Sequence, residues 1–343
     1  MMKFIRYILI LIISISLGTF TVAQENVAPG VGMKKLGQSS MNFLQVSVSP
    51  RASAMGEAYT AIGKGAESIF YNPAGLPEME SRFELYATTT QWVADINYMA
   101  GVAAWNMGNA GVIGVSFLTV DYGDDNIWTG LAESPSDEKG YVEYGTINNI
   151  GAYAMGISYG RSITNKFTLG GNLRFVGQQL GESYLETGLE KNDETQISYD
   201  MGVKFYPGYE SFRFGMFIRN FGPSIQYEEI TSQLPQVFSI AVAMDMLDVF
   251  MPSITETNNL LVSTEFVHPI NYTERTKVGV EYNYNNILAL RGGYKFNTDV
   301  EGFSGGIGVT TPSIAGNTIE VGYSYSVLDI FDGINRFSLK VVF

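Results

Sequence analysis

Thr276 to Phe296 reads TKVGVEYNYNNILALRGGYKF, and its alternation decides the fold. Val278, Val280, Tyr282 and Tyr284 alternate with Lys277, Gly279, Glu281 and Asn283. After Asn285-Asn286 the pattern resumes, with Leu288, Leu290, Tyr294 and Phe296 against Ala289, Arg291, Gly293 and Lys295. A period of two is a strand with two unlike faces, and a short Asn-Asn link between two such runs makes a hairpin. One face suits lipid and the other a polar lumen, the pattern of a transmembrane barrel strand. A slip of one residue would carry Lys277 and Glu281 into lipid, so the register is strongly specified.

The same unit recurs on either side of this hairpin. Ile319, Val321, Tyr323, Tyr325 and Val327 alternate with Glu320, Gly322, Ser324 and Ser326, and Phe337, Leu339, Val341 and Phe343 with Ser338 and Lys340. From Phe83–Thr90 to Asn335–Phe343 there are about fourteen such segments, an even number as an antiparallel barrel with both ends on one side requires. Links at Asn165-Lys166 and Met107-Gly108-Asn109 are tight, whereas Tyr122 to Tyr144 and Gly181 to Glu194 are long and acidic. Long links belong outside the cell and short ones in the periplasm. The terminal Phe343 resembles the C-terminal aromatic signal of bacterial barrels.

Composition agrees. The 343 residues are 45% hydrophobic, with 38 Gly and with 21 Tyr and 21 Phe, a mixture suited to aromatic girdles and a crowded lumen. Lys3 and Arg6 precede an apolar run from Tyr7 to Phe20 and then Thr21-Val22-Ala23, which predicts a signal peptide over 1–23. Its loss would leave 19 basic residues against 34 acidic ones, a net charge of −15, and nucleic acid is excluded as a partner. Cysteine is absent, so no disulfide, thiolate metal site or lipid anchor on cysteine is expected. No cofactor is expected either.

Between signal and barrel lie two further segments. Residues 24–50 are expected to be a periplasmic arm, and 51–82 a plug. Arg51 to Leu76, RASAMGEAYTAIGKGAESIFYNPAGL, is the long stretch that reads as neither strand nor turn. Ala52, Ala54, Met55, Ala58, Ala61 and Ile62 recur at mixed spacings of three and four, predicting a short helix with a small-residue face. Asn72-Pro73-Ala74-Gly75 then makes a rigid corner, because proline fixes its own φ and drives Asn72 out of the helical region. A compact helical segment ahead of a strand meander has its place inside the barrel, with residues 83–343 forming the wall.

This stretch also resembles a known family. Arg51-Ala52, then Met55-Gly56 with Ala58, then Asn72-Pro73-Ala74-Gly75-Leu76 is similar to the signature of the PorV/PorQ family, which belongs with the FadL-like outer-membrane barrels. The resemblance implies an all-β bacterial outer-membrane barrel, a non-enzymatic role in type IX secretion, and partners comprising outer-membrane lipid, a large translocon barrel and secreted cargo with C-terminal signal domains. On that reading the outer loops, with Asp121, Asp124, Asp125, Trp128, Glu133, Glu182, Tyr184 and Glu186, are the cargo-contacting candidates. FadL-like barrels have a similar Asn-Pro-Ala motif, so the alternative is uptake of hydrophobic small molecules. Such a transporter needs an apolar pocket. The lumen face instead reads as charged, with Arg174, Lys204, Arg213, Arg219, Glu265, Glu281, Arg291, Lys295, Glu320, Arg336 and Lys340. Paired charges of both signs argue against an open pore, and Arg51 is placed to join one of the lumen carboxylates.

Catalytic chemistry has little to work with. His268, the one histidine, precedes Pro269 at a strand end, and a Ser-His-Asp hydrolase would have to use it. The acidic loop residues match no calcium-loop spacing, and Gly63-Lys64-Gly65 no phosphate loop.

Overall fold

The computed structural model describes residues 39–123, 127–131, 140–147, 149–185, 188–227, 230–252, 255, 257–312 and 316–343. The expected signal peptide, residues 24–38 of the expected arm, and Asp124, Asp125, Glu133 and Glu186 lie outside them.

The strands are β1 (Phe83–Gln91), β2 (Asn97–Asn106), β3 (Val112–Asp121), β4 (Ile127–Leu131), β5 (Tyr141–Thr146), β6 (Ile150–Thr164), β7 (Phe167–Leu185), β8 (Gly188–Phe205) and β9 (Arg213–Phe221). There follow β10 (Ile225–Tyr227), β11 (Ile230–Ser232), β12 (Val237–Asp245), β13 (Asn259–Pro269), β14 (Arg275–Tyr284), β15 (Leu288–Phe296), β16 (Glu301–Thr310), β17 (Thr318–Leu328) and β18 (Ile334–Val342). Fourteen of them close an antiparallel barrel in the order β1-β2-β3-β6-β7-β8-β9-β12-β13-β14-β15-β16-β17-β18, with β18 pairing back onto β1. The expected fourteen-stranded barrel is therefore the observed one.

Alternation sorts the side chains as the sequence requires. Along β1 the outward residues Phe83, Leu85 and Ala87 alternate with the inward Glu84, Tyr86 and Thr88. Outward Leu290, Tyr294, Val321, Tyr325, Phe337 and Leu339 belong to an apolar belt around the barrel, while inward Arg291, Lys295, Ser324 and Arg336 are buried. Closure leaves no unpaired strand edge, and a closed barrel with an apolar outer belt is one of the two ways a chain can cross a bilayer.

One end of the barrel holds Phe83, the chain terminus and the turns after β2, β6 and β14; the other holds the hairpins β4–β5 and β10–β11 and the tips of β7 and β8. The first is the turn end and the second the loop end, which the sequence reading expects in the periplasm and outside the cell respectively. In both expected loops the described residues include paired strands. Between Tyr122 and Tyr144 lies the β4–β5 hairpin, and the β7–β8 ladder continues from Gln179↔Asp193 through Glu182↔Lys191 to Leu185↔Gly188. The reason is local: Glu182 opposite Lys191 is an opposite-charge cross-strand pair, and acidic composition does not by itself end a ladder.

The lumen is filled from the N-terminal side. Residues 39–50, expected at the end of a periplasmic arm, lie inside the barrel. Ser40 donates its backbone N–H to the Gln233 carbonyl (3.0 Å) and Met41 to Gln178 Oε1 (3.2 Å), both toward the loop end. Met41, Phe43, Leu44 and Val48 are buried. Burial is what these apolar residues require. The chain then passes through a short helix α1 (Pro50–Ala54), capped by the Ser49 hydroxyl, and two 3-10 turns, Ala66–Phe70 and Pro73–Glu78. A second short helix, α2 (Met246–Phe250), follows β12 at the turn end. The helix expected through Ile62 stops at Ala54, because Gly56 and Glu57 both adopt positive φ (61°). The small residues there serve contact with the wall, not a helical face.

Candidate functional site: the lumen and its plug

The plug has little regular structure, so its backbone polar groups need partners. Inward side chains of the wall supply them. Glu265 Oε2 accepts from the backbone N–H groups of Tyr59 (3.0 Å) and Thr60 (2.9 Å), and Glu84 Oε2 from that of Ala66 (2.8 Å). Asn172 Nδ2 donates to the Ile69 carbonyl (2.9 Å), Thr168 Oγ1 to that of Ala74 (2.8 Å) and Lys204 Nζ to that of Gly63 (3.1 Å).

The Asn72–Leu76 corner is held most tightly. Asn72 is completely buried; its Oδ1 caps the Ala74 N–H (3.1 Å), and its Nδ2 donates to the carbonyls of Thr60 (2.9 Å) and, across in β8, Val203 (3.2 Å). A Cβ on Gly202 would stand 2.0 Å from Asn72 Oδ1, and one on Gly170 would stand 2.3 Å from the Pro73 carbonyl. The wall is thus cut back to receive this corner. Asn72→Ala removes one accepted and two donated hydrogen bonds from a fully buried site, which costs about 2–3 kcal/mol. The expected result is faster hydrogen exchange at the Ala74 amide with an unchanged barrel signal; equal protection in both proteins would contradict this role.

On the β13–β18 side the lumen is charged and paired. Arg51 clasps Glu281 through Nε and a terminal nitrogen, both at 2.7 Å, and Arg291 Nε meets the same carboxylate at 2.6 Å. Glu320 lies 3.6 Å from Arg291. Glu57 of the plug receives Lys277 (2.9 Å) and Lys295 (2.7 Å), and Lys295 also reaches Glu301 (2.8 Å). Burial alone would raise the Glu57 pKa, but these two ammonium groups hold it well below the usual carboxylate range. Its contribution to plug docking is therefore present above the unfolded pKa and is lost only as pH falls through the depressed value. Arg174, on β7, joins Asp200 (2.7 Å) and Asn220 (2.6 Å), where β9 bulges at Asn220 with φ 59°. A cavity of about 560 Å³ opens toward the turn end, with Lys64, Glu84, Glu281, Arg291, Glu320 and Lys340 in its wall.

The other half of the lumen differs. At the loop end the inward residues Tyr98, Ala100, Leu118, Val120, Ala152, Ala154 and Val176 form an apolar wall, and Met41, Phe43, Leu44 and Val48 pack on it with Ile225 and Leu234. The charge inventory missed this apolar cluster. Its signal lay in β2 and β3, which read apolar on both faces where β14 and β15 alternate with charge.

Of the outer-loop residues, Asp121 ends β3 and takes the Gly123 N–H (2.9 Å), Glu182 lies in β7, and Trp128 and Tyr184 lie in strands β4 and β7. His268 sits half-exposed beside Glu274, Nδ1 to Oε1 3.1 Å. Among the described residues no group of three or more His, Cys, Asp or Glu is placed to hold a metal ion.

No protein-family model and no curated protein matches the chain. Solved structures do share its fold. The Ralstonia pickettii toluene transporter TbuX matches with a TM-score of 0.53 at 13% identity, over 86% of this chain and 98% of its own. The monoaromatic hydrocarbon channel CymD gives 0.55 at 12%, over 86% and 96%, and a Pseudomonas aeruginosa FadL homologue 0.52 at 11%, over 87% and 98%. At such identities the likeness is one of fold: a closed, fourteen-stranded antiparallel β-barrel.

Proposed function

We propose that this barrel passes hydrophobic small molecules across the outer membrane through its plugged lumen, without chemistry of its own. The observation that carries the reading is the apolar inner wall of β2, β3, β6 and β7 at the loop end. An inward face that served only water or ions would gain nothing from Leu118, Val120 and Val176, whereas an apolar solute leaving water gains about 25 cal/mol for each Å² it buries there. The segment Met41–Val48 now covers that wall, so entry requires it to yield. Two of the structural neighbours bear the names of a toluene transporter and a hydrocarbon channel, which fits the same reading.

The secretion role implied by the plug motif has no such support. The corner that carries the motif is spent on docking the plug, through Asn72 and the glycines opposite it.

Uptake by cells expressing the barrel, with radiolabelled neutral aromatic hydrocarbons as probes, tests the proposal. Expression is expected to raise uptake, and Leu118→Asp to lower it by about tenfold, since a buried unpaired carboxylate repels an apolar solute and must be rehydrated. Uptake no greater than that of cells lacking the protein would overturn it.

A further inference from the structure

The outer face of the barrel is not evenly covered. A groove of about 470 Å³ lies on the lipid-facing side of β18, β1, β2 and β3, in the part of the apolar belt nearer the turn end. Register explains it. Leu339, Ala87, Gly101 and Phe117 form one outward row across the four strands, and Val341, Leu85, Ala103 and Val115 form the next row toward the turn end. Large side chains on β18 and β3 therefore stand as banks, while Ala87 and Gly101 leave the floor between them low. In the second row Leu85 rises from β1, so the low floor continues on β2 alone, over Ala103. The Phe117 ring leans inward, and a Cβ added to Gly101 would stand 2.3 Å from it. Met99, next beyond Gly101 on the same face, is 57% exposed and bounds the groove toward the loop end.

Width and charge say what fits. The banks stand three strand spacings apart, about 14 Å between Cα atoms, and their side chains narrow the gap further. One extended hydrocarbon chain can lie in it. The convex wall of a second barrel is broader than the gap, and Leu339 and Phe117 hold it off the floor. Lipid tails are as apolar as these side chains, so close packing, not hydrophobicity, is what retains one chain there. Charge marks the mouth at the turn end, where Trp105 stands between two exposed arginines. Arg82 accepts the Asn106 N–H at its carbonyl (2.9 Å), and Arg161 follows Tyr159 on the outward face of β6. Among the described residues neither guanidinium has a hydrogen bond or an ion pair, and the exposed Glu80 is not paired with Arg82. Tryptophan and tyrosine sit at headgroup level in membrane proteins, and guanidinium groups pair with phosphate.

We infer that this groove is a binding site for one glycerophospholipid of the leaflet at the turn end. An acyl chain lies between Phe117 and Leu339, and the phosphate is held at the rim between Arg82 and Arg161. The site is outside the wall and does not depend on what the lumen carries. A chain seated there packs on both strands of the β18–β1 ladder, by which the barrel closes.

Native mass spectrometry of the detergent-solubilised full chain, titrated with dioleoylphosphatidylglycerol and separately with dioleoylglycerol, tests this. One phosphatidylglycerol per barrel is expected to survive collisional activation that strips the rest. Ala87→Leu combined with Ala103→Leu raises the floor and should weaken both lipids by about tenfold. Val321→Leu, lipid-facing on β17 and outside the groove, should change neither. Arg82→Gln combined with Arg161→Gln should weaken phosphatidylglycerol by about tenfold and leave dioleoylglycerol unchanged. Gel mobility before and after heating checks that each variant is folded. No retained lipid, or retention indifferent to the two leucines, overturns the site. Binding that is lost on filling the groove yet indifferent to both arginines overturns the headgroup contact and leaves an acyl-chain groove. Dimers that weaken when the groove is filled, with no lipid retained, would assign it to a second copy of this chain instead.

Discussion

Glu281→Ala is expected to release the plug while leaving the barrel folded. Glu281 is 1% exposed and accepts from Arg51, Arg291 and, through Oε1 at 3.1 Å, Asn283. Removing it leaves two guanidinium groups facing one another, with only the partly exposed Glu320, 3.6 Å from Arg291, as a remaining anion. Taking away one partner of a buried ion pair costs roughly 3–5 kcal/mol, because the other charge stays desolvated. The lower part of that range applies, since the Arg51 side chain is 16% exposed and water offsets some of the loss.

The loss falls on docking more than on the wall. Arg51 belongs to the plug, whereas β14 and β15 keep their ladder from Thr276↔Phe296 to Tyr284↔Leu288 whatever stands at position 281. Limited trypsin digestion separates the two. The variant is expected to be cut after Arg51 or Lys64 at concentrations that spare the wild type, while both remain heat-modifiable barrels on gels. A plug as resistant as the wild type would show that the pair contributes little. Replacing Glu281, Arg51 and Arg291 together by methionine should cost less than Glu281→Ala alone, because no charge is then stranded.

The wall was legible because two-residue periodicity carries register and face at once. Val278, Val280 and Tyr282 against Lys277, Gly279 and Glu281 admit one arrangement in a membrane, and fourteen such segments admit one closure. The β7–β8 tip was not legible in the same way. Above the membrane both faces meet water, so alternation fades and acidic residues read as loop even where Glu182 pairs with Lys191. The plug was legible as a plug but not as a conformation. Ala52, Ala54 and Ala58 fit a helix, yet the wall's glycines favour a turn through Gly56 and Glu57 at positive φ, and tertiary contact overrides a weak propensity.

The lumen illustrates the same limit. Charged inward residues announce themselves by type, so Glu265, Glu281, Arg291, Lys295 and Glu320 could be placed from spacing alone. An apolar inward face beside an apolar outward face removes the alternation that would reveal it. Tyr98, Ala100, Leu118 and Val120 became an inner wall only once the strands on either side fixed which way they point.

The sharpest test of how the plug is seated is Gly293→Val. Gly293 on β15 lies against the plug turn so closely that a Cβ would stand 2.0 Å from the Gly56 nitrogen and 2.2 Å from the Met55 carbonyl carbon. Gly279 and Gly306 on the flanking strands are nearly as close, at 2.4 Å to the Met55 carbonyl oxygen and 2.7 Å to the Ala54 Cβ. Backbone, not a flexible side-chain end, fills the space in front of Gly293, so the plug has to move as a body to admit a branched side chain. The strand itself is unharmed, since valine favours the pleated conformation. The expected outcome is a barrel that inserts normally but conducts ions in planar bilayers, with steps at least about tenfold more frequent than in the wild type, whose lumen is blocked by plug and paired charge. Gly292→Ala is the matched control: it is the adjacent residue, points to the other face, and has nothing within 4 Å of its added Cβ. If Gly293→Val were as silent as Gly292→Ala, the close approach of wall and plug would be incidental, and closure would rest on the ion pairs around Glu281 and Glu57 instead.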